Sequence, residues 1–148
     1  MKTIQEIMLL ISHLDTHIAD DFEGQDLDFK QWSTRALEDN VNKMIQYAVC
    51  MANGGGGSVV FGIADKVVGY RNTILGVPLH LDIAAFKKKV LEETIPSIEP
   101  EFNHVKVRYG TGELLIMTVQ ASETVHTFTD GRAVVRKEKE CLPIDFAD

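Results

Sequence analysis

Four consecutive glycines, Gly54 to Gly57, separate a segment of helical periodicity from one of strand character, and that order limits what the chain can fold into. Upstream, Val41, Met44, Ile45, Ala48, Val49 and Ala52 recur at i, i+3, i+4, i+7, i+8 and i+11, with Asn42, Lys43 and Gln46 on the other side. This is the pattern of an amphipathic helix. Asp39 or Asn40 is the expected N-cap, and the first glycine falls where a helix ends by entering left-handed geometry. Downstream, Ser58-Val59-Val60-Phe61-Gly62-Ile63 is a β-branched and aromatic run of strand length. A phosphate-cradling loop has the reverse order, strand before helix, because the anion sits on free N–H groups at a helix N-terminus. Here the glycines meet a C-terminal end, whose unpaired carbonyls repel an anion. No Gly-Lys-Ser or Gly-Lys-Thr follows, so no nucleotide cofactor is expected. Nor is the run a linker, since the apolar segments on both sides need burial. The expectation is a tight helix-to-strand reversal with another backbone close by.

The rest of the chain supplies partners for these two elements. Ile4, Ile7, Met8, Ile11, Leu14 and Ile18 have helical spacing and predict an opening amphipathic helix within residues 1–19. Leu27-Asp28-Phe29-Lys30 predicts a strand, with Leu27 and Phe29 on one face and Asp28 and Lys30 on the other. Residues 82–95 predict a second core helix ended by Pro96. Residues 103–109 and 113–121 predict two strands joined by Gly110-Thr111-Gly112, and residues 126–130 and 132–137 a hairpin through Asp130-Gly131. The fold class is α+β: a mixed β-sheet with helices mainly on one face, core order β-α-β-α-β-β, plus an N-terminal helix and a C-terminal hairpin. This order is similar to the Alba and translation initiation factor C-terminal type of fold. The division expected is an N-terminal helix (1–19), one domain (20–140) and a tail (141–148) that would continue into a longer protein.

Charge is uneven along the 148 residues. Residues 1–40 hold nine acids against three bases and residues 41–148 thirteen against twelve, so most of the net charge of -7 lies in the first quarter. Such a balance argues against a protein that coats DNA, because counterion release needs many Lys and Arg facing phosphate; a local basic patch is compatible with it. No apolar run reaches bilayer length and no signal-peptide pattern opens the chain. It therefore reads as cytoplasmic, without membrane contact, and with Cys50 and Cys141 as free thiols.

Two constellations could carry chemistry. Glu23 stands five residues before Asp28, and Lys30 two beyond it. If the glycine bend brings Asp65 beside them, three carboxylates and a lysine converge. Glu23, Asp28 and Asp65 would then ligate Mg²⁺ or Mn²⁺, ions that favour oxygen donors, with Lys30 completing the catalytic group. The plainer alternative is a solvated acidic edge with an Asp28–Lys30 surface pair. The second constellation is Arg132, Arg136 and Lys137, followed by Lys139. Alternation puts Arg132 and Arg136 on one face, which suits paired contacts to phosphate oxygens; the plainer alternative is a charged edge that resists aggregation. His13 and His17 have metal-ligand spacing but lack the glutamate of the histidine-pair protease pattern, and no nucleophile motif is present.

The ordered series of motifs resembles the Schlafen AlbA-like domain family, also described as divergent AAA-type or RecG-like transcriptional regulators. The series is LDFK, a helix ending in MANGGGG, SVVFGIAD, VVG, IPSIEP, ELLIMTVQAS and a hairpin with VVRK. The resemblance implies a nucleic-acid-binding domain of a DNA-binding regulator, with DNA or RNA as partner and a homodimer left open. In one branch the family is similar to a metal-dependent endoribonuclease whose three carboxylates lie in an E-x-x-x-x-E-F-K stretch and a G-x-x-D after the glycine turn. These fall on Glu23, Asp28 and Asp65. Asp28 replaces the family's second glutamate, Ala64 stands where many relatives have aspartate, and Val-Val-Arg-Lys-Glu replaces an aromatic-Val-Arg-x-Gly ending. The functional alternatives are thus a nucleic-acid binder, an endoribonuclease and an oligomerising interaction module, with ATP binding the weakest.

Overall fold

The computed structural model describes residues 1–110 and 112–146. In chain order its elements are α1 (Ile4–Ile11), a 3-10 turn (Ala19–Phe22), β1 (Leu27–Lys30), α2 (Leu37–Asn53), β2 (Gly57–Phe61), the single turn α3 (Tyr70–Thr73) and α4 (Ile83–Glu92). They are followed by β3 (Thr94–Ile95), β4 (Glu101–Lys106), β5 (Glu113–Val119), β6 (Thr127–Phe128), β7 (Val134–Lys137) and β8 (Glu140–Pro143). The sheet order is β1-β2-β5-β4, with β1 parallel to β2 and the other pairs antiparallel. This is the expected α+β class and core order. Among the described residues no helix is long and apolar enough to cross a membrane.

Alternation in the strands sorts side chains onto two cores. On one face Val59, Phe61, Leu115 and Met117 pack beneath Met44 and Ala48 of α2 and Phe86 and Val90 of α4. On the other face Leu27, Phe29, Val60, Leu114 and Ile116 meet Ile7 and Ile11 of α1 and Leu14 beyond it. Helix α1 stops at Ile11, short of the run to Ile18 that its spacing predicts. Chain from the 69–70 turn takes the next carbonyls: Tyr70 Oη donates to Ser12 O, and Gly69 N to Leu14 O at 3.0 Å. Helix α2 begins at Leu37 after Ala36, with no side-chain cap. Asn40, an expected cap, instead reaches back to bracket Ser33, accepting from its N–H at 2.7 Å and donating to its C=O at 2.9 Å.

The glycine turn is as tight as its composition requires. Gly55 and Gly56 have φ of 99° and 87°, the left-handed region that disfavours a side chain. Gly54 serves a different purpose, because β7 crosses directly over it. A Cβ at position 54 would lie 2.5 Å from Arg136 Cβ and 3.0 Å from Arg136 N and O. Asn53 fastens the same crossing with three hydrogen bonds, donating to His126 O and Val134 O and accepting from His126 N.

Two pairings differ from expectation. Strand β7 pairs with β8 across the turn at Glu138 and Lys139, and β6 pairs with β3; the 126–130 and 132–137 segments do not form one ladder. Cys50 and Cys141 form a disulfide 91 residues apart in sequence and are not free thiols. Strand β8 sets Cys141 over α2, a proximity that spacing along the chain cannot reveal. The predicted turn at Gly110-Thr111-Gly112 includes Thr111, and the tail includes Ala147 and Asp148, which lie outside the described residues.

Candidate functional site

Strand β1 is a sheet edge, so one row of its backbone groups has no strand partner. Glu23 occupies that edge: its Oε2 accepts the N–H of Phe29 at 2.9 Å. The 3-10 turn before it is pinned to the loop after β2 by a hydrogen bond from Asp20 N to Asp65 O at 2.8 Å. The glycine reversal sets β2 parallel to β1, so the loop leaving β2 emerges beside the acidic approach to β1. As a result Asp20, Glu23 and Asp65 offer carboxylate oxygens that all lie within 4.8 Å of one another, each partly buried.

Of the four residues singled out with metal or catalytic roles, the structure gathers Glu23 and Asp65 in this cluster and sets Asp28 and Lys30 behind it. Asp28 is 2% exposed, in place of the solvated edge that was the plainer alternative. Its Oδ2 accepts from Arg136 Nη1 at 2.7 Å. Its Oδ1 lies 3.3 Å from Lys30 Nζ but makes no hydrogen bond of good geometry; we regard that contact as electrostatic. Burial works against the charge on Lys30, but the Tyr47 hydroxyl and the Asp28 carboxylate outweigh it and hold its pKa above the ordinary value. The Lys30 ammonium also stands 5.0 Å from the centre of the Tyr47 ring.

Of the three basic positions, Arg132 and Lys137 are exposed and Arg136 is not. Arg136 is the largest fully buried side chain of the chain's described residues, and its donors go to Asp28, Gly24 O and Leu27 O. It therefore does not share a solvent face with Arg132, and it offers no donor to a phosphate. Arg132 is drawn to Asp130, with Nε 2.7 Å from Oδ2. Two cations that the motif reading had not placed at the site approach Asp20: Lys139 Nζ at 3.4 Å and Lys66 Nζ at 3.5 Å. An open groove of about 870 Å³ runs from Glu23 between Lys137 and Lys139, with Glu138 and Glu140 also on its walls.

Crowded carboxylates shift one another's titration. Burial, followed by hydrogen bonding to Asp28, pushes the pKa of Glu23 up to about 8 despite the opposing Phe29 N–H. The proton on Glu23 in turn serves Asp20, whose pKa is lowered first by that hydrogen bond and further by Lys139 and Lys66. Because the folded protein holds this proton above the unfolded glutamate's value of 4.5, the contribution is full below that pH and is lost as pH rises towards 8. Glu23→Gln is expected to remove that loss. Urea unfolding at pH 5 and pH 8.5 in chelator should show wild-type stability falling more steeply with pH than the variant's; parallel pH dependences would contradict the assignment.

The donor set fits a hard divalent cation: carboxylate oxygens only, no sulfur or imidazole, and a surplus of negative charge that the proton on Glu23 partly relieves. Asp20 is the residue that motif reasoning missed. Its only sequence signal is its place in the acidic run before β1, and a 3-10 turn, which strand and helix periods do not describe, sets its direction.

Residues 23–145 match the family described as Schlafen, AlbA_2. The fold is similar to that of the DIP2311 protein from Corynebacterium diphtheriae, with a TM-score of 0.73 at 21% identity over 96% of this chain and 30% of that one. This chain thus spans about 30% of the length of DIP2311. It is also similar to the N-terminal domain of a RecG-related protein, named for an ATP-dependent DNA helicase, from Nitrosomonas europaea. There the TM-score is 0.53 at 15% identity, over 100% of this chain and 92% of that one. No curated protein matches.

Proposed function

Because the chain belongs to the Schlafen, AlbA_2 family, we propose that it binds nucleic acid through the groove beside Asp20, Glu23 and Asp65, carboxylates that would hold a divalent cation. The observation that carries this reading is the convergence of three carboxylates within 4.8 Å at the head of a groove flanked by Lys137 and Lys139. Three glutamates also line that groove, so without a cation its own charge opposes a phosphate. Asp20, Glu23 and Asp65 would hold Mg²⁺ or Mn²⁺, which when bound would supply positive charge to phosphate oxygens. Lys137, Lys139 and Lys66 would add backbone contacts that carry no sequence information. Arg136 and Asp28 act from behind as the clamp that fixes β7 and β1.

The same carboxylate set favours a second reading, a metal-dependent endoribonuclease. A carboxyl such as Glu23, titrating near neutrality, is suited to passing a proton to or from a reacting oxygen. Fluorescence anisotropy with labelled tRNA and a labelled DNA hairpin separates these readings from a bare interaction module. Binding is expected to be at least about tenfold tighter in Mn²⁺ than in EDTA, to weaken steeply with salt, and to lose its Mn²⁺ gain in Asp65→Asn. Equal behaviour in Mn²⁺ and EDTA, or no binding at low salt, would overturn the proposal. Cleavage of the tRNA in Mn²⁺ that Asp65→Asn abolishes would select the nuclease.

A further inference from the structure

A second basic site lies on the far stretch of the loop that leaves β2. Tyr70 and Tyr109 stack with ring centroids 4.0 Å apart and planes 11° from parallel. Each is followed or preceded in sequence by an arginine, Arg71 and Arg108, and both arginines border the same cleft. Both are exposed, and both line an open cleft of about 500 Å³ together with the two tyrosines. Among the described residues neither guanidinium has an ion pair or hydrogen-bond partner. Two acids on adjoining segments have partners of their own: Asp15 accepts the N–H of Tyr70, and Glu113 pairs with His104 and Lys106. Two unpartnered guanidiniums on one cleft stand out in a chain of net charge -7.

We propose that Arg71 and Arg108 form a second phosphate clamp for the same nucleic acid that the carboxylate groove engages. The proposal rests on the nucleic-acid reading above and extends it to this surface. Guanidinium forks match phosphate oxygens in pairs and remain charged at all relevant pH. The stack also supplies aromatic surface of the kind on which unpaired bases rest. Arg71 stands six residues from Asp65 in the same segment, so their backbones are at most about 22 Å apart. That upper bound is roughly six phosphates along one strand of a duplex, within the length of one bound segment.

The test measures the affinity of labelled tRNA and of a single-stranded DNA against salt concentration, in Mn²⁺, for wild type and Arg71→Ala/Arg108→Ala. Both side chains lie at the surface, so the double variant should melt with the wild type. Its binding should be weaker, and the slope of log K against log salt should shrink by about 1.4–1.8, the share of two phosphate contacts. Arg71→Lys/Arg108→Lys should recover the slope. Inorganic phosphate at matched ionic strength should not displace the polymer from wild type; displacement would show a site for free phosphate and overturn the proposal. An unchanged slope in a protein whose binding still depends on Asp65 would overturn this clamp alone. Absence of nucleic-acid binding by wild type would overturn both readings.

Discussion

Arg136→Ala is expected to cost about 3–5 kcal/mol of folding stability, the range for removing one partner of a buried ion pair. The side chain is 1% exposed and Asp28 2%. Its Nη1 donates to Asp28 Oδ2 at 2.7 Å, its Nε to Gly24 O at 3.0 Å, and its Nη2 to Gly24 O and Leu27 O at 2.8 and 3.0 Å. Its guanidinium also lies 5.9 Å from the centre of the Tyr47 ring. Truncation would leave the buried Asp28 carboxylate without its guanidinium partner and take both guanidinium donors from Gly24 O, while Leu27 O keeps the N–H of Gly24; the buried groups left short of partners add their desolvation cost. Lysine cannot replace the fork, since one ammonium cannot reach three acceptors spread along β1 and its approach. The double replacement Asp28→Leu/Arg136→Met should recover most of the loss, because it removes both charges together. Urea unfolding measures the result; a loss below about 1 kcal/mol in Arg136→Ala would contradict the clamp. Weaker nucleic-acid binding by Arg136→Ala is expected only through the unfolded fraction.

Gly54→Ala is expected to cost about 1–3 kcal/mol, the range for overpacking, and to fall near its upper end. Gly54 has φ of -101°, which alanine adopts freely, so backbone strain contributes nothing. The obstacle is β7: the added carbon would meet Arg136 Cβ at 2.5 Å and the Arg136 backbone N and O at 3.0 Å. Backbone atoms cannot rotate away as a side-chain tip can. The penalty should therefore persist in an Arg136→Ala background, which retains the Cβ and both backbone atoms. Gly55→Ala provides the contrast, with φ of 99° and open space around the position, so its cost is conformational, about 1–2 kcal/mol. Melting of the three variants measures this, and a Gly54→Ala protein as stable as wild type would refute the close approach of β7.

Much of the architecture is legible in the residues because it follows from periodicity. The buried stripe of α2, the alternation in β1 and the reversal at the glycines all depend on local geometry that spacing encodes. The glycine run also announces that something must pass close by, but not what, since the crossing strand is more than 75 residues away in sequence. The basic hairpin shows the limit of alternation: it states which residues share a face, and leaves open whether that face meets solvent or α2. Arg136 points inward because Asp28 awaits it there, a tertiary fact. For the same reason Asn40 brackets Ser33 instead of capping α2, and Cys141 meets Cys50. Asp65 and Glu23 could be named from their motifs, whereas Asp20 enters the cluster through the backbone bond that ties its turn to Asp65.

Calorimetric titration of Mn²⁺ at pH 7.5, run in two buffers of different ionisation heat, tests most directly whether Asp20, Glu23 and Asp65 act as one cation site. One ion should bind, with release of protons because the cation displaces the proton that Glu23 holds with a pKa of about 8, and Asp65→Asn should abolish the heat. No binding heat in wild type, or an undiminished isotherm in Asp65→Asn, would contradict the site on which the functional account rests.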